Sequence, residues 1–360
     1  MTILRAAVIG AGVGRAHMKG YRNSSDSELV AVCDANAVRL AEIAGEFGIP
    51  ASQQYTDYHT MLETVKPDIV SIALPNYLHR EVAVAALEAG AHVICEKPMA
   101  TTVAEAEAMN AAAQKAGKQL AISYNYRYRA DAQWIHKVIE SGSLGEIHFV
   151  NATWRRETGI PGSGWFGRKA LSGGGPLIDL GVHVLDLSLW FMGFPQVRTV
   201  SSTTRSIFGP LGQKVWGQPS WLGTKAEPFD VEDSAIGFLR FGNGASAVLQ
   251  ATWAEHREPQ ADMIRLEVQG SKASIHMVVP NYRHDDTLRM YTEIEGEPVT
   301  IIPGLRNVKN VANHESLIAA TLKALVAGEP VPNPGTEGIA AVRVLEAMYK
   351  SADAGHEISL

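Results

Sequence analysis

Two patterns of hydrophobic residues divide the chain. Up to about residue 123, short runs of β-branched residues alternate with alanine-rich stretches, which predicts a parallel sheet with crossover helices. From residue 124 onward, apolar and polar residues alternate over longer runs, which predicts antiparallel strands. The predicted strands are 6–9, 29–32, 69–73, 92–95 and 120–122 in the first part, and 146–154, 231–241, 244–254, 263–269 and 273–279 in the second.

This change of pattern predicts two domains, 1–123 and 124–360, with the last helix a candidate for packing back on the first domain. Asn-Gly at 243–244 separates two of the predicted strands, which favours a hairpin with a type I′ turn, because that turn needs positive φ at both central residues. The segment 205–228 is rich in Gly, Pro and Trp without clear periodicity. We expect a long loop there that shapes a pocket or an oligomer contact.

Composition narrows the choice of partners. The 360 residues carry a formal charge of −6 and no block of lysine or arginine, which argues against nucleic-acid or membrane-surface binding and favours a small-molecule ligand. The two cysteines, Cys33 and Cys95, both lie in apolar runs and read as buried free thiols, so we expect a reducing, cytoplasmic location. The apolar run at the start is too short for an export signal, and no stretch approaches the roughly 18 apolar residues of a membrane span.

A glycine-rich turn follows the first predicted strand. Gly10, Gly12 and Gly14 precede a helical stretch, the context in which backbone amides bind a pyrophosphate at a helix N-terminus. The spacing departs from GxGxxG, which would place the third glycine at the position of Arg15. A turn of this kind is often only a turn, so the second feature matters more.

That feature is Asp34, which ends the second strand 22 residues after Gly12. An acid at this position accepts hydrogen bonds from the adenosine ribose, although it could also cap the next helix. Its carboxylate repels a 2′-phosphate, which favours NAD over NADP. Arg39 is expected to lie too far into the next helix to offset that repulsion.

Two further loops follow predicted strands at the edge of the sheet where ligands bind in this type of fold. One is 73–79, and the other is Glu96-Lys97-Pro98. Proline biases Lys97 away from helical angles, so its ammonium is held at the strand end, where it could polarise a substrate oxygen. The alternative is a solvated lysine paired with a neighbouring acid.

The stretch 173–193 predicts a helix that begins at Pro176 and ends at Gly193. Asp179, His183 and Asp186 then share one face, where flanking carboxylates would orient the imidazole as a general base. A lone histidine on such a helix is often structural. The three glycines at 173–175, which would permit close approach of a ligand, favour a functional role.

Together these residues resemble the glucose-fructose oxidoreductase / inositol dehydrogenase (Gfo/Idh/MocA) family over essentially the whole chain. The motifs that carry the resemblance are the glycine loop, Asp34, TDYHTML at 56–62, LPNYLH at 74–79, GAHVICEKPMA at 90–100, GGGPLIDLGVHVLDL at 173–187 and the closing HESLIAATLKALVAGEPVPNP. The resemblance implies an α/β fold with an N-terminal Rossmann dinucleotide-binding domain. It also implies a C-terminal α/β domain whose open, mainly antiparallel sheet forms a homodimer or homotetramer.

The resemblance also implies roles for individual residues. The catalytic residues are Lys97, Asp179 and His183. The cofactor-binding residues are Gly10, Gly12, Val13, Gly14, Asp34, Leu74, Asn76, His79, Glu96 and Lys97. The substrate-binding residues are Tyr124, Arg127, Arg155, Arg156 and Trp165, besides Asp179 and His183, with Trp154 as a further candidate. No metal is expected.

The implied reaction is NAD-dependent interconversion of a secondary alcohol and a ketone on a cyclic polyol or sugar. Two alternatives stay open. Some relatives are NAD-dependent glycosidases that use transient oxidation, and a sugar or nucleotide sensor could share the fold. Retention of Lys97, Asp179 and His183 argues against a sensor.

Overall fold

The computed structural model describes residues 3–162, 164–216, 229–258, 261–305 and 313–360. Its strands are β1 Leu4–Ile9, β2 Ser27–Cys33, β3 Gln54–Tyr55, β4 Ile69–Ile72, β5 His92–Cys95, β6 Leu120–Ile122, β7 Ile147–Arg156, β8 Val197–Arg205, β9 Ser234–Phe241, β10 Ser246–Thr252, β11 Asp262–Gly270, β12 Ala273–Pro280, β13 Leu288–Ile294, β14 Glu297–Ile301 and β15 Ile358–Ser359. Its α-helices are α1 Gly14–Arg22, α2 Ala37–Glu46, α3 Tyr58–Val65, α4 His79–Glu88, α5 Val103–Ala116, α6 Ala130–Glu140, α7 Lys169–Ser172, α8 Val182–Phe191, α9 His314–Ala327 and α10 Gly335–Ala354.

The chain folds into two units, each built from two separate segments. The first unit comprises Met1–Asn125 and Asn313–Val342, and the second comprises Tyr126–Ala312 and Arg343–Leu360. The first boundary falls two residues after the predicted limit at 123. The segment 313–342, which holds α9 and the first part of α10, belongs to the first unit. The sequence analysis raised such a return for the last helix only.

The first unit contains a six-stranded parallel sheet in the order β3-β2-β1-β4-β5-β6. The order reverses between β1 and β4, so the ends of β1, β4 and β5 form the edge where a dinucleotide binds in such sheets. The predicted parallel sheet is therefore confirmed. The two-residue strand β3 was not predicted, because so short a segment carries no periodicity.

The second unit contains a nine-stranded mixed sheet in the order β14-β13-β12-β11-β7-β10-β9-β8-β15. All neighbours pair antiparallel except β7 and β10, which are parallel. The predicted antiparallel character is confirmed. Strands β8, β13, β14 and β15 were missed, since most of their residues are at least partly exposed and give a weak apolar alternation.

The hairpin predicted at Asn-Gly joins β9 and β10, but its turn is not type I′. Of the turn residues 241–245, all of which the structure describes, Gly244 is the one with a positive φ, at 88°. The Asn243 side chain accepts a hydrogen bond from the Ala245 amide at 3.1 Å, which stabilises an ordinary turn followed by a left-handed glycine. Of the long loop predicted over 205–228, the part 217–228 lies outside the described residues.

Cys33 and Cys95 are buried and free, as predicted. Burial raises the pKa of the Cys33 thiol to about 12, so it stays protonated at neutral pH. Within the described part of the chain, no helix combines the length and the apolar content that a membrane crossing requires. The cytoplasmic location stays a prediction.

Candidate active site

The glycine loop between β1 and α1 has the geometry of a dinucleotide site. Gly10 has φ +97°, and a Cβ there would lie 2.2 Å from the carbonyl oxygen of Ala73, so only glycine fits this turn. A Cβ on Gly12 would meet no atom within 4 Å, which leaves the loop open for a ligand to approach. A Cβ on Gly14 would lie 2.7 Å from Val8, so this glycine permits close packing of helix on strand. Each of the three glycines therefore has a steric role in the loop, although their spacing is shorter than in GxGxxG.

Asp34 connects the end of β2 to this loop. One carboxylate oxygen accepts the amide proton of Ala11 at 2.9 Å, and the other accepts that of Asn36 at 2.8 Å. The Asp34 side chain is therefore fixed beside the glycine loop, as a ribose-binding acid requires. Asn36, not Asp34, caps α2 by accepting from Val38 and Arg39.

Arg39 lies closer to this carboxylate than expected from the sequence. Its guanidinium is 3.7 Å from Asp34 and is about half exposed. The expectation that Arg39 is remote was wrong, because the first turn of α2 brings it back toward the end of β2. A cation at this distance reduces the repulsion that Asp34 alone would exert on a 2′-phosphate.

The loops after β4 and β5 are tied together by His79. Its ring nitrogens lie 2.8 Å from the Pro98 carbonyl oxygen and 2.9 Å from that of Leu74. Its side chain is fully buried. His79 therefore holds the Glu96-Lys97-Pro98 loop against the 74–79 loop, and its predicted contact with the cofactor stays a prediction.

Glu96 and Lys97 differ in burial although they are adjacent. Lys97 is partly exposed, and its bond to Pro98 is cis. Glu96 is buried, and its carboxylate contacts His17 at 2.8 Å and His314 at 3.2 Å. Within the described residues, these three side chains form the one group of histidine and acidic side chains close enough to share a metal ion.

The predicted helix over 176–193 is present in two parts. A π-helical turn, Leu177–Gly181, leads into α8, and Gly193 follows the helix with φ 71°. Such turns are rare and occur often at functional sites. Because the π-turn interrupts the α-helical repeat, Asp179 and His183 do not have the regular spacing that the sequence predicted.

The glycines before this turn are required by protein packing. A Cβ on Gly174 would lie 1.9 Å from the Tyr349 hydroxyl, and one on Gly175 would lie 1.9 Å from the Glu232 carbonyl oxygen. The carboxylate of Glu232 accepts the amide protons of Gly175 and Leu177 and the Tyr349 hydroxyl proton. The interpretation that Gly174 and Gly175 admit a ligand is thus replaced, since Glu232 caps the turn that carries Asp179. Gly173 ends α7 in the left-handed conformation, with φ 83°.

His183 lies at the start of α8 and is 7% exposed. Its ring centroid is 4.7 Å from that of Tyr126 and 5.6 Å from that of Trp154. The Asp179 carboxylate accepts the indole proton of Trp253 at 2.9 Å, and Trp253 is fully buried. An aromatic shell around an imidazole, with a fixed carboxylate on the preceding turn, suits a general base that must be held in one orientation.

Arg127 and Asp186 form a buried ion pair. Two guanidinium nitrogens of Arg127 contact the two Asp186 oxygens at 2.9 Å and 2.5 Å. The guanidinium also lies over the rings of Trp190 and Phe194 at 5.5 Å and 5.4 Å. These contacts favour a structural role for both residues. Asp186 as a second flanking carboxylate of His183 and Arg127 as a sugar contact stay predictions.

The remaining predicted substrate residues have different surroundings. Arg156 pairs with Asp262 at 2.7 Å and donates to the Tyr282 hydroxyl at 2.6 Å. Its guanidinium lies over the ring of Trp154, 5.5 Å from the centroid. Arg155 is on the opposite face of β7 and pairs with Glu255 at 2.9 Å. The structure therefore brings Arg156 near Trp154 and separates it from Arg155.

Trp165 and Tyr124 are the last two predicted substrate residues. Trp165 stacks on Phe166, with ring centroids 4.1 Å apart. Tyr124 is buried in the first unit. Residues that the sequence did not single out are Trp253, Tyr126, Glu232 and the pair His17 and His314. The fold brings Tyr126 to His183, Trp253 to Asp179, and His17 and His314 to Glu96.

Comparison with known proteins defines the class. The profile described as "Oxidoreductase family, NAD-binding Rossmann fold" matches residues 4–124, and that of the GFO/IDH/MocA C-terminal domain matches residues 132–276. The chain therefore belongs to the GFO/IDH/MocA oxidoreductase family, and its first unit carries the NAD-binding Rossmann fold. It is an NAD-dependent oxidoreductase, as predicted.

Relatives and solved structures extend over nearly the whole chain. The chain is 35% identical to D-glucoside 3-dehydrogenase of Escherichia coli (strain K12) over 361 residues, 99% of this chain and 97% of that protein. It is 32% identical to levoglucosan dehydrogenase of Pseudarthrobacter phenanthrenivorans, covering 81% of this chain and 76% of that protein. A levoglucosan dehydrogenase structure with NADH and L-sorbose matches with TM-score 0.84 and 25% identity, over 100% of this chain and 99% of the other.

Proposed function

We propose that this protein is an NAD-dependent dehydrogenase that oxidises a secondary hydroxyl group on the ring of a sugar, with D-glucosides as the first candidates. The observation that carries the proposal is the setting of His183, a buried imidazole that packs against both Tyr126 and Trp154. Aromatic rings beside a base suit the C–H surfaces of a sugar ring. The D-glucoside 3-dehydrogenase and levoglucosan dehydrogenase among the relatives support the same substrate class.

The residues of the first unit fit NAD. We propose that backbone groups of Gly10, Gly12, Val13 and Gly14 bind the pyrophosphate and that Asp34 binds the adenosine ribose. We propose that the loops after β4 and β5 bind the reacting end of NAD through Leu74, Asn76, His79 and Glu96. The fit rests on the turn at Gly10 that only glycine can adopt, the open approach at Gly12 and the fixed Asp34 carboxylate. When bound, NAD supplies the hydride acceptor.

The proposed catalytic roles follow from side-chain chemistry. His183 takes the hydroxyl proton at an imidazole nitrogen, because a histidine can accept a proton near neutral pH. Asp179, held by Trp253, orients the imidazole and stabilises the charge that it gains. Lys97 donates a hydrogen bond to the reacting oxygen from the end of β5. Of the predicted sugar contacts, Arg156 and Trp154 are favoured, because their side chains adjoin the aromatic shell of His183.

We also propose a homo-oligomer formed through the sheet of the second unit. Along β9, Ala235 and Leu239 are buried, whereas Ile236 on the opposite face is 43% exposed. Tyr291 on β13 is 39% exposed. Apolar side chains on the outer face of a sheet support burial against a second copy. Light scattering on the purified protein should give the mass of a dimer or tetramer, and a monomer at micromolar concentration would contradict this proposal.

The experiment that tests the catalytic roles compares single variants in a nicotinamide absorbance assay with a panel of glucosides, anhydrosugars and inositols. Lys97→Ala and His183→Ala should lose most turnover while still binding NADH. Lys115→Ala and His148→Ala, at exposed positions, serve as matched controls. Wild-type rates in either test variant would remove the role assigned to that residue.

The same assay distinguishes the dehydrogenase from the two alternatives, a glycosidase and a sensor. A glycosidase would release the aglycone without net accumulation of NADH, and a sensor would bind NADH and a sugar without turnover. The dehydrogenase is favoured because the cited relatives are dehydrogenases and because Lys97, Asp179 and His183 are all retained.

A further inference from the structure

A chain of buried polar groups runs through the first unit to the residue before Lys97. The Tyr21 hydroxyl lies 2.7 Å from that of Ser71, which lies 2.9 Å from Nδ1 of His17. Nε2 of His17 lies 2.8 Å from Oε1 of Glu96, and the ring of His17 is fully buried. The chain thus connects the core of α1 to the end of β5.

His314 contacts the same carboxylate oxygen as His17. It is the first residue of α9, and its Nε2 lies 3.2 Å from Oε1 of Glu96. The two imidazole rings are tilted by 51° with centroids 5.2 Å apart. The amide of Lys97 is 3.3 Å from the second oxygen, Oε2. Side chains from α1 and α9 thus meet on one acid, next to the proposed catalytic lysine.

The hydrogen bonds of this chain can all be donated in one direction, from Tyr21 toward Glu96. If His17 donates its Nε2 proton to Glu96, its Nδ1 accepts from Ser71, and Ser71 accepts from Tyr21. Burial lowers the pKa of His17, so it stays neutral and carries the single proton that this arrangement needs. Burial would raise the pKa of Glu96, but hydrogen bonds from His17 and His314 hold that pKa well below its usual range. Glu96 is therefore an anion held by two imidazoles, both of which contact its Oε1.

We propose that His17 and His314 are positioning residues that hold the Glu96 carboxylate and thereby fix Lys97 at the end of β5. The proposal rests on the role of Lys97 in the proposed function. A buried charge is stable only when its oxygens are satisfied by donors. Loss of one imidazole would leave Glu96 short of a donor, and the loop would move to recover one. A shift of about 1 Å at a catalytic group can cost about a hundredfold in rate.

The geometry favours hydrogen bonds over a metal ion. Ligand atoms about 2.0–2.1 Å from a tetrahedral zinc lie roughly 3.3 Å from one another. The His17–Glu96 separation of 2.8 Å is shorter and has the length of an ordinary N–H···O bond. Binding of a metal ion by His17, Glu96 and His314 is one of the outcomes that the test below can detect.

The test uses His314, since its side chain is 19% exposed and its replacement disturbs the core less than that of His17. His314→Leu removes the donor, and His314→Gln restores one at a similar distance. His92→Leu, at the start of the strand that leads to Glu96, is the matched control, because His92 contacts the Gln119 amide and not Glu96. The measurements are kcat, KM for the sugar and the Kd of NADH from fluorescence titration.

We expect His314→Leu to lower kcat about tenfold or more and to change KM for the sugar less than about threefold, with any loss of NADH affinity smaller than the loss of kcat. His314→Gln should recover most of the loss, and His92→Leu should behave as wild type. The double variant Glu96→Gln/His314→Leu should be no slower than Glu96→Gln alone, since both changes break one unit.

Several results would overturn the inference. The first is a kcat for His314→Leu equal to that of His92→Leu. The second is an equal loss of kcat in His314→Leu and His314→Gln. The third is a loss of kcat in Glu96→Gln/His314→Leu that combines the losses of the two single variants in full. One equivalent of zinc or iron in the purified protein, absent from His314→Leu, would replace positioning by metal binding. Lys97→Ala measured alongside separates the two proposals. If Lys97→Ala is inactive and His314→Leu is fully active, the positioning role of His314 is contradicted and the role of Lys97 stands. If Lys97→Ala is active, the proposed role of Lys97 is contradicted.

Discussion

The Arg127–Asp186 pair gives a prediction that decides between two roles for Arg127. A substrate contact would lose sugar affinity when Arg127 is replaced, whereas a structural ion pair would lose stability. Arg127 is 2% exposed and Asp186 is 1% exposed, so neither charge has water to replace its partner. We therefore expect Arg127→Met to act mainly on stability.

The magnitude follows from this burial. Removing one partner of a buried ion pair costs about 3–5 kcal/mol, because the remaining buried charge loses its counterion. For a unit of this size, that corresponds to a fall in the thermal midpoint of about 6–20 °C. The double variant Arg127→Met/Asp186→Leu should recover most of the loss, because it leaves no buried charge. Lys350→Met, which breaks an exposed pair with Glu346, should cost less than about 1 kcal/mol.

The assay is thermal and urea unfolding of the four proteins, with sugar KM measured on each that is folded at 25 °C. We expect KM to change less than about threefold in Arg127→Met. The reasoning is refuted if Arg127→Met keeps the wild-type midpoint and raises KM more than tenfold. Arg127 would then be a sugar contact, as the family resemblance implied.

Three further predictions concern the cofactor, the base and pH. Asp34→Ala should weaken NAD binding about tenfold or more and reduce discrimination against NADP; unchanged preference in titrations with both nucleotides would move the ribose contact elsewhere. Trp253→Phe removes the donor to Asp179 and should lower kcat about tenfold at nearly constant KM; a wild-type kcat would show that Asp179 needs no such support. Because the folded-state pKa of Glu96 lies below its ordinary 4.5, this acid stabilises the protein above that pH, and the contribution is lost as the pH falls through the folded pKa. Urea unfolding below pH 4.5 should therefore show a shallower pH dependence for Glu96→Gln than for wild type, and parallel curves would contradict the assignment.

Much of the fold was predictable because its strands bury one or both faces. The parallel strands of the first unit read as short apolar runs, and the inner strands of the second unit alternate clearly. The outer strands β8 and β14 were not predictable in this way, since few of their residues are buried. The return of 313–342 to the first unit leaves no local pattern, because it depends on packing between segments far apart in the sequence.

The candidate site was predictable where a residue carries its own chemistry. Lys97, Asp179 and His183 stood out by type and spacing, and Asp34 by its distance from the glycine loop. Their supporting residues did not, because Trp253 and His314 are 74 and more than 200 positions away from the groups they contact. The π-turn before α8 was equally hidden, since its sequence is compatible with an ordinary helix.

The most direct test of the account is the nicotinamide absorbance of the purified protein with NAD and D-glucosides, followed by the wider sugar panel. The account predicts net formation of NADH with at least one ring sugar, and its loss in both Lys97→Ala and His183→Ala. Tight NADH binding with no net NADH from any sugar, or turnover that survives both substitutions, would contradict it.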